Sequence, residues 1–327
     1  MGVPQVRAAL VSVSAGVAIL LFKFGAYLLT GSMAILSDAA ESVVNVVAAN
    51  VALLSLIVAA RPPDAAHQYG HGKAEYLSGA TEGAMIILAG GWVLVTAVLR
   101  LLSPLPLRHL DWGLAVLAAA TTANYLTARF LLKVSRVVES AALEADARHL
   151  LADVLTSIGV FVGLGLSWFF RQPRVDAAVA VAVSLHVLRM GGTVFLQAVG
   201  GLMDTSLPPG EEAAVRRILD EHRGEIVEYH ALRARKVGPR RFLDLHLVLH
   251  RVLRVGEAHA LCDDLERHVE EALPATDITI HVEPCERPCP VCDRPDLSPP
   301  DPGRPDPGRL GPDRPPPTAE SSRILPA

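Results

Sequence analysis

Asp38, Glu41 and Asn45 follow one another at intervals of three and four residues, and His149 and Asp153 stand four apart. On a helix such intervals stack each set on one face. If the two faces meet, Glu41, Asn45, His149 and Asp153 offer two carboxylates, an amide oxygen and an imidazole, which can wrap a divalent ion tetrahedrally while the carboxylates cancel its charge. Asp38, one turn before Glu41, reads either as a reserve ligand or as a packing group. A second set lies in Asp64-Ala65-Ala66-His67-Gln68-Tyr69-Gly70-His71-Gly72-Lys73, where Asp64, His67 and His71 are spaced to fold around one ion, with a glycine on each side of His71. His230, His246, His259, His281 and Glu283 form a third set, enough donors for a two-ion site. The thiols of Cys285, Cys289 and Cys292 form a fourth, suited to a soft ion.

Each set also has a plainer reading. Asn, Ser and His side chains inside a membrane often hydrogen-bond one another to hold a bundle together. His230 and His246 could be a cross-strand polar pair, His259 a surface histidine, and the three thiols unpaired cysteines without structure. For the first set the balance tips towards ion binding. Charged groups at a bilayer centre cost about 2.5 to 3.5 kcal/mol each, so three ionisable groups at matched spacing need a reason. Lys23 lies within two turns of the end of its apolar stretch and is expected to reach the interface. Gly159 and Gly163 read as a small-residue step for helix packing.

These residues sit on a chain of 327 residues that is 51% hydrophobic with only 5% aromatic residues, with a mean hydropathy of +0.35. Six apolar stretches approach the roughly 20 residues that span a bilayer: Ala8 to Leu29, Ala34 to Ala60, Leu77 to Leu102, Leu110 to Leu132, Leu151 to Phe170 and Val175 to Val199. Short Gly- and Pro-bearing turns at Thr30-Gly31-Ser32, Ser103-Pro104 and Arg171 to Arg174 alternate with longer polar connections at Arg61 to Ala74 and Lys133 to Glu144. An even number of spans puts the longer connections on the side of both termini. Arg7, Arg61, Lys73, Arg129, Lys133 and Arg136 lie there, against Arg100, Arg108, Arg171 and Arg174 opposite, which favours the cytoplasm for that side. The opening apolar run continues into further long ones and does not read as a cleaved leader, so Ala8 onward is read as mature structure.

From residue 205 the pattern becomes that of a water-facing module, with helix Pro209 to His222, strands Ile226 to Arg235 and Arg241 to His250, helix Gly256 to Leu273 and strand Asp277 to Val282. This is an αββαβ order. From Pro288 to Ala327 there are 13 prolines in 40 residues, a composition that buries no core and is expected to be disordered. The expected division is a six-helix transmembrane domain over 1–204, a metal-binding domain over 205–287 and a tail over 288–327. The net charge of −4 gives no basic surplus for nucleic acid. All four cysteines lie in the polar C-terminal part, where a reducing compartment fits better than a disulfide framework.

The pieces Gly31-Ser32 with Asp38 to Asn45, Tyr69-Gly70-His71-Gly72-Lys73-Ala74-Glu75, Ala145-Asp146-Ala147-Arg148-His149-Leu150-Leu151-Ala152-Asp153, Gly201-Leu202-Met203-Asp204 and Ile280-His281-Val282-Glu283-Pro284 occur in one order between Ala8 and Cys285. In this the chain resembles the cation diffusion facilitator family, most closely its bacterial zinc/iron branch. The resemblance implies a homodimeric, proton-coupled antiporter of the inner membrane with a cytoplasmic, metallochaperone-like (ferredoxin-like) αββαβ domain. It implies a transport site at Glu41, Asn45, His149 and Asp153, a loop site at Asp64, His67 and His71, and a regulatory two-ion site at His230, His246, His259, His281 and Glu283. It also implies an ion pair from Lys73 to Asp204 that ties the domains together. The chain departs from the family pattern where Glu41 replaces Asp or His, where Asn45 replaces Asp and where Glu283 replaces Asp.

Together these readings give a secondary transporter, not an enzyme, exporting a divalent metal such as zinc or iron, with manganese, cobalt and cadmium as other cargoes. Zinc is also the expected regulatory ligand. A membrane-anchored metal sensor or store is the rival reading, and the intramembrane set speaks against it. A hydrolase built on His149 lacks a nucleophile with a paired base.

Overall fold

The computed structural model describes residues 3–30, 33–102, 111–170 and 172–292. The turns at Gly31-Ser32 and Ser103-Pro104, Arg108, Arg171 and the tail from Asp293 onward lie outside the described residues, as do the side chains of Asp38 and Glu41.

Six long helices come first: α1 (Val3–Thr30), α2 (Met33–Ala59), α3 (Ala74–Leu102), α4 (Asp111–Val138), α5 (Ala141–Phe170) and α6 (Pro173–Leu202). Among the described residues, α1, α2, α3, α4 and α6 are long and apolar enough to cross a bilayer. Helix α5 is the hub, packing against α2, α3, α4 and α6. Small residues permit that closeness. A side chain on Gly159 would meet Val183 of α6 at 2.8 Å, and one on Gly83 of α3 would meet the backbone of Phe195 of α6 at 2.6 Å.

The connection expected over Lys133 to Glu144 is largely helix. Helix α4 runs to Val138, Glu139 takes a positive φ of 51°, and α5 begins at Ala141. A tertiary cap starts α5 this early. The Ser140 hydroxyl donates to Glu75 Oε2 at 2.5 Å and accepts the Leu143 N–H at 3.3 Å, while Glu75 also accepts the Ala142 N–H at 3.4 Å. A carboxylate from the first turn of α3 thus satisfies the open donors at the N-terminus of α5. This fixes α5 against α3 at the level that positions His149.

A second domain follows as α7 (Pro209–Glu221), β1 (Glu228–Val237), β2 (Arg240–Leu249), α8 (Val255–Ala272) and β3 (Thr276–Pro284). The sheet order is β1-β2-β3, antiparallel between β1 and β2 and parallel between β2 and β3. Strand alternation makes two faces. Leu243, Leu245, Leu247 and Leu249 pack with Val215, Leu219, Leu265 and Val269 of the two helices, each buried leucine contributing about 1.5 to 3 kcal/mol. Asp244, His246 and Val248 therefore point to the opposite face, which no helix of this domain covers. Residues 288–292, expected to belong to a disordered tail, instead fold back with Cys289 and Cys292 buried beside Val248 and Val252.

Candidate metal sites

Between α2 and α5, the Asn45 amide touches two side chains of α5. Its Nδ2 donates to Asp153 Oδ2 at 2.5 Å, and its Oδ1 lies 3.1 Å from His149 Nε2. An amide oxygen has no proton to give, so with this amide orientation Nε2 carries the proton and donates it. The other imidazole nitrogen, Nδ1, stands 3.8 Å from Glu82 Oε2 on α3. Glu82 has 0% exposure, and neither of its carboxylate oxygens has a hydrogen-bond partner among the described residues. Asp146, three residues before His149 on α5, is buried as well. The polar set thus draws on three helices and holds more acid than spacing alone suggests.

A cavity of about 10 Å³ adjoins Asn45 and Asp153 and is lined also by Lys23, Thr121, Asn124 and Ser157, room for roughly one water. Lys23 corrects the expectation that it reaches the interface. It is 5% exposed, because α1 packs against α2 and α4 and carries this residue on its inner face. An ammonium group therefore lines the same cavity as Asp153.

The loop set also comes together. His67 Nδ1 lies 3.2 Å from Asp64 Oδ1, His71 Nε2 lies 3.3 Å from Asp64 Oδ2, and the two imidazole centroids are 4.4 Å apart. Gly70 takes a φ of +83°, a conformation glycine adopts without strain. It turns His71 back onto Asp64. The backbone N–H of His67, with help from its ring, holds the Asp64 carboxyl below its ordinary range, so the group is anionic at neutral pH.

On the open face of the sheet, His230 and His281 are the register partners of His246 on either side. Glu283 links them, with its Oε1 2.8 Å from His246 Nδ1 and 3.8 Å from His281 Nε2, and its Oε2 3.5 Å from His230 Nε2. His259 does not join them. It lies on α8 with its side chain 75% exposed, beside Asp263 one turn on at 3.4 Å, and α8 covers the leucine face of the sheet, not the histidine face.

The domains meet through ion pairs. Lys73 Nζ lies 2.9 Å from Asp204 Oδ1, and Arg235 Nη1 lies 3.1 Å from Asp204 Oδ2. Partial burial raises the Asp204 carboxyl, but these two cations outweigh it and hold the group below the usual carboxylate range. A second junction, unread in the sequence, joins Glu139 at the α4–α5 break to Lys236 at 2.6 Å and Arg241 at 3.2 Å. The Tyr76 hydroxyl donates to the Lys236 carbonyl at 3.0 Å. Arg241 also grips Glu211 at 2.7 Å and keeps that carboxyl low.

Sequence reasoning passed over Glu82, although an acid inside the apolar stretch Leu77 to Leu102 carries the same signal that singled out Asp153. It also passed over His250, four residues beyond His246. A further group, His222, Asp264 and His268, forms between α7 and α8, with each imidazole 3.4 Å from Asp264. Asp264 is shared there with Arg267.

Residues 9–203 match the family model of the cation efflux transmembrane domain, and residues 207–285 match that of the cation efflux protein, cytoplasmic domain. The uncharacterised transporter sll1263 of Synechocystis sp. is 38% identical over 280 residues, covering 86% of this chain and 90% of its own. The cation-efflux pump FieF of Salmonella typhimurium is 31% identical over 279 residues, covering 85% of this chain and 92% of its own. A solved structure of CzrB in its zinc form is 49% identical over 25% of this chain and 92% of that one, with a TM-score of 0.24. With its membrane and cytoplasmic parts both matched, the chain belongs to the cation diffusion facilitator family, multi-pass membrane transporters that export divalent metal cations.

Proposed function

We propose that this chain exports zinc, with iron as the alternative cargo, from the cytoplasm in exchange for protons. It works as a homodimer in the inner membrane with both termini cytoplasmic, divided into a transport domain over 1–204, a regulatory domain over 205–287 and a tail. One observation carries the reading: the hydrogen-bonded run from His149 through Asn45 to Asp153, with the buried Glu82 carboxyl 3.8 Å from the other ring nitrogen of His149. A network that served only to glue helices would be expected to satisfy its members, since buried polar groups are almost always paired. Glu82 has acids and an imidazole nearby but no hydrogen bond among the described residues, which suits a group that exchanges a proton for a cation.

Only an unprotonated ring nitrogen ligates a metal, so an ion that takes His149 Nε2 sends its proton to Nδ1, which faces Glu82, and the proton exchanged for the ion comes from a doubly protonated ring or a protonated carboxyl of the set. Asn45 then turns its oxygen to the ion, with Asp153 and Glu41 as the anionic ligands. The neutral amide of Asn45 leaves one fewer negative charge than a third carboxylate would supply. The Lys23 ammonium group offsets the charge of Asp153 when no divalent ion is bound. Rocking of the bundle around this point opens it to either side. On the cytoplasmic side, ion binding at the loop set and at the His230–His246–His281–Glu283 set stabilises the dimer by mass action. The Lys73–Asp204 contact passes that state to the helices.

The test is flux into vesicles containing the purified chain, under an imposed pH gradient and across zinc, iron, manganese, cobalt and cadmium. Zinc or iron is expected to move fastest, with protons moving the other way. Flux of every ion at the rate of protein-free vesicles would instead mark a sensor or store, and flux indifferent to the gradient would remove the proton from the scheme.

A further inference from the structure

We infer that His250, Cys285, Cys289 and Cys292 form a closed, thiolate-rich site for a zinc-class divalent ion, which folds residues 285–292 onto the end of the cytoplasmic sheet. The inference stands apart from the transport mechanism.

The four ligand atoms lie within 4.8 Å of one another. Cys285 Sγ and Cys292 Sγ are 3.4 Å apart, and His250 Nδ1 is 3.4 Å from Cys292 Sγ and 3.7 Å from Cys289 Sγ. Zinc bonds of about 2.3 Å to sulfur and about 2.0 to 2.1 Å to nitrogen, set at tetrahedral angles, require roughly 3.8 Å between two sulfurs and about 3.5 Å between sulfur and nitrogen. The two sulfur–nitrogen separations lie within about 0.2 Å of that, and the Cys285–Cys292 sulfurs stand about 0.4 Å closer than a bound ion would hold them. All three cysteines are buried.

The backbone brings the ligands to one point. The Cys285 N–H donates to the Leu249 carbonyl at 2.8 Å, which aligns the ends of the parallel pair β2 and β3. His250 and Cys285 continue the open-face positions of their strands, and residues 286–292 turn back over that end. The returning segment, Glu286-Arg287-Pro288-Cys289-Pro290-Val291-Cys292, has Val291 as its one aliphatic side chain besides the prolines. Arg251 donates to the Cys285 and Glu286 carbonyls at 3.5 and 3.4 Å, and beyond these contacts so little apolar mass calls for a further staple.

Two other staples fit less well. A disulfide between Cys285 and Cys292 needs a sulfur separation of about 2.0 Å, would leave Cys289 and His250 unused, and is disfavoured in a reducing cytoplasm. A purely apolar thiol cluster has no use for an imidazole nitrogen turned towards two sulfurs. The site has its own residues, since His250 lies four residues beyond His246, roughly 13 Å along a strand, and Cys285 two beyond Glu283, roughly 7 Å. Its donors differ as well. Three thiolates and one imidazole suit zinc or another thiophilic ion, and four protein ligands leave no open position for cargo to pass through.

The experiment uses the full chain, purified under reducing conditions and loaded with cobalt as a spectroscopic stand-in for zinc. A thiolate-to-cobalt charge-transfer absorption is expected. It should disappear in the Cys289→Ser/Cys292→Ser variant and survive in His230→Ala/His281→Ala. Absence of the band in cobalt-loaded wild type, or its persistence in the cysteine variant, would overturn the inference. Should the cysteine variant fail to fold, wild type alone decides: zinc must protect Cys285, Cys289 and Cys292 from alkylation, and a chelator must expose them. Equal labelling of these three with and without zinc would refute the site.

Discussion

The polar set between α2, α3 and α5 and the histidine–glutamate set on the cytoplasmic sheet use similar donors in opposite surroundings. Glu82 and His149 are buried, whereas His230 and His281 are largely exposed and Glu283 is one-third exposed. Charge in the first setting is costly and is kept only where another charge replaces it. In the second, water solvates each group whether an ion is present or not. The buried set should therefore act all-or-none on transport, and the exposed set should act by degrees on its regulation.

Substitutions can break this contrast. Changes to residues that merely orient metal ligands cost about 10- to 100-fold, so Asp153→Ala should lower zinc flux into vesicles by roughly 100-fold or more while the dimer stays folded. Glu82→Gln removes an ionisable group and not a ligand of the first set, and a loss near tenfold is expected, together with a changed pH profile of flux. His281→Ala should leave maximal flux within about fivefold but raise the cytoplasmic zinc concentration needed for half-maximal rate, by weakening the mass-action term. Comparable losses of maximal flux in His281→Ala and Asp153→Ala would erase the distinction between the two regions.

The junction between them should matter least. The Lys73–Asp204 pair is about two-fifths exposed on each side, and such pairs contribute about 0 to 1 kcal/mol, so Lys73→Ala should change flux less than about fivefold. Asp204 and Glu211 have carboxyls held below their ordinary values. Groups of that kind stabilise the folded state fully above the unfolded pKa, near 4, and lose the contribution as pH falls through the lowered folded value. Loosening of the junction, read by crosslinking between positions 73 and 204, should therefore begin only below about pH 4.

Much of this arrangement was legible in the residues. The four-residue interval between His149 and Asp153 turns both side chains towards Asn45, because helix geometry is local. The alternation in β2 likewise separates Leu243, Leu245 and Leu247 from His246. Other parts depend on contacts far apart in sequence. Helix α5 starts at Ala141 because Glu75, 65 residues before Ser140, caps it. Lys23 turns inward because of where α1 packs, and His259 stays outside because α8 covers the other face of the sheet. His250 gains meaning only from the fold-back that brings Cys289 and Cys292 beside it. Glu82 is the exception, since its cost inside an apolar run was visible from composition alone.

The most direct measurement counts protons released per zinc ion taken up by vesicles containing either wild type or Asp153→Ala. Proton movement should accompany zinc at a fixed ratio in wild type, and both should vanish together in the variant. Zinc uptake in Asp153→Ala at the wild-type rate, with the same proton ratio, would show that the cargo passes elsewhere than between α2 and α5.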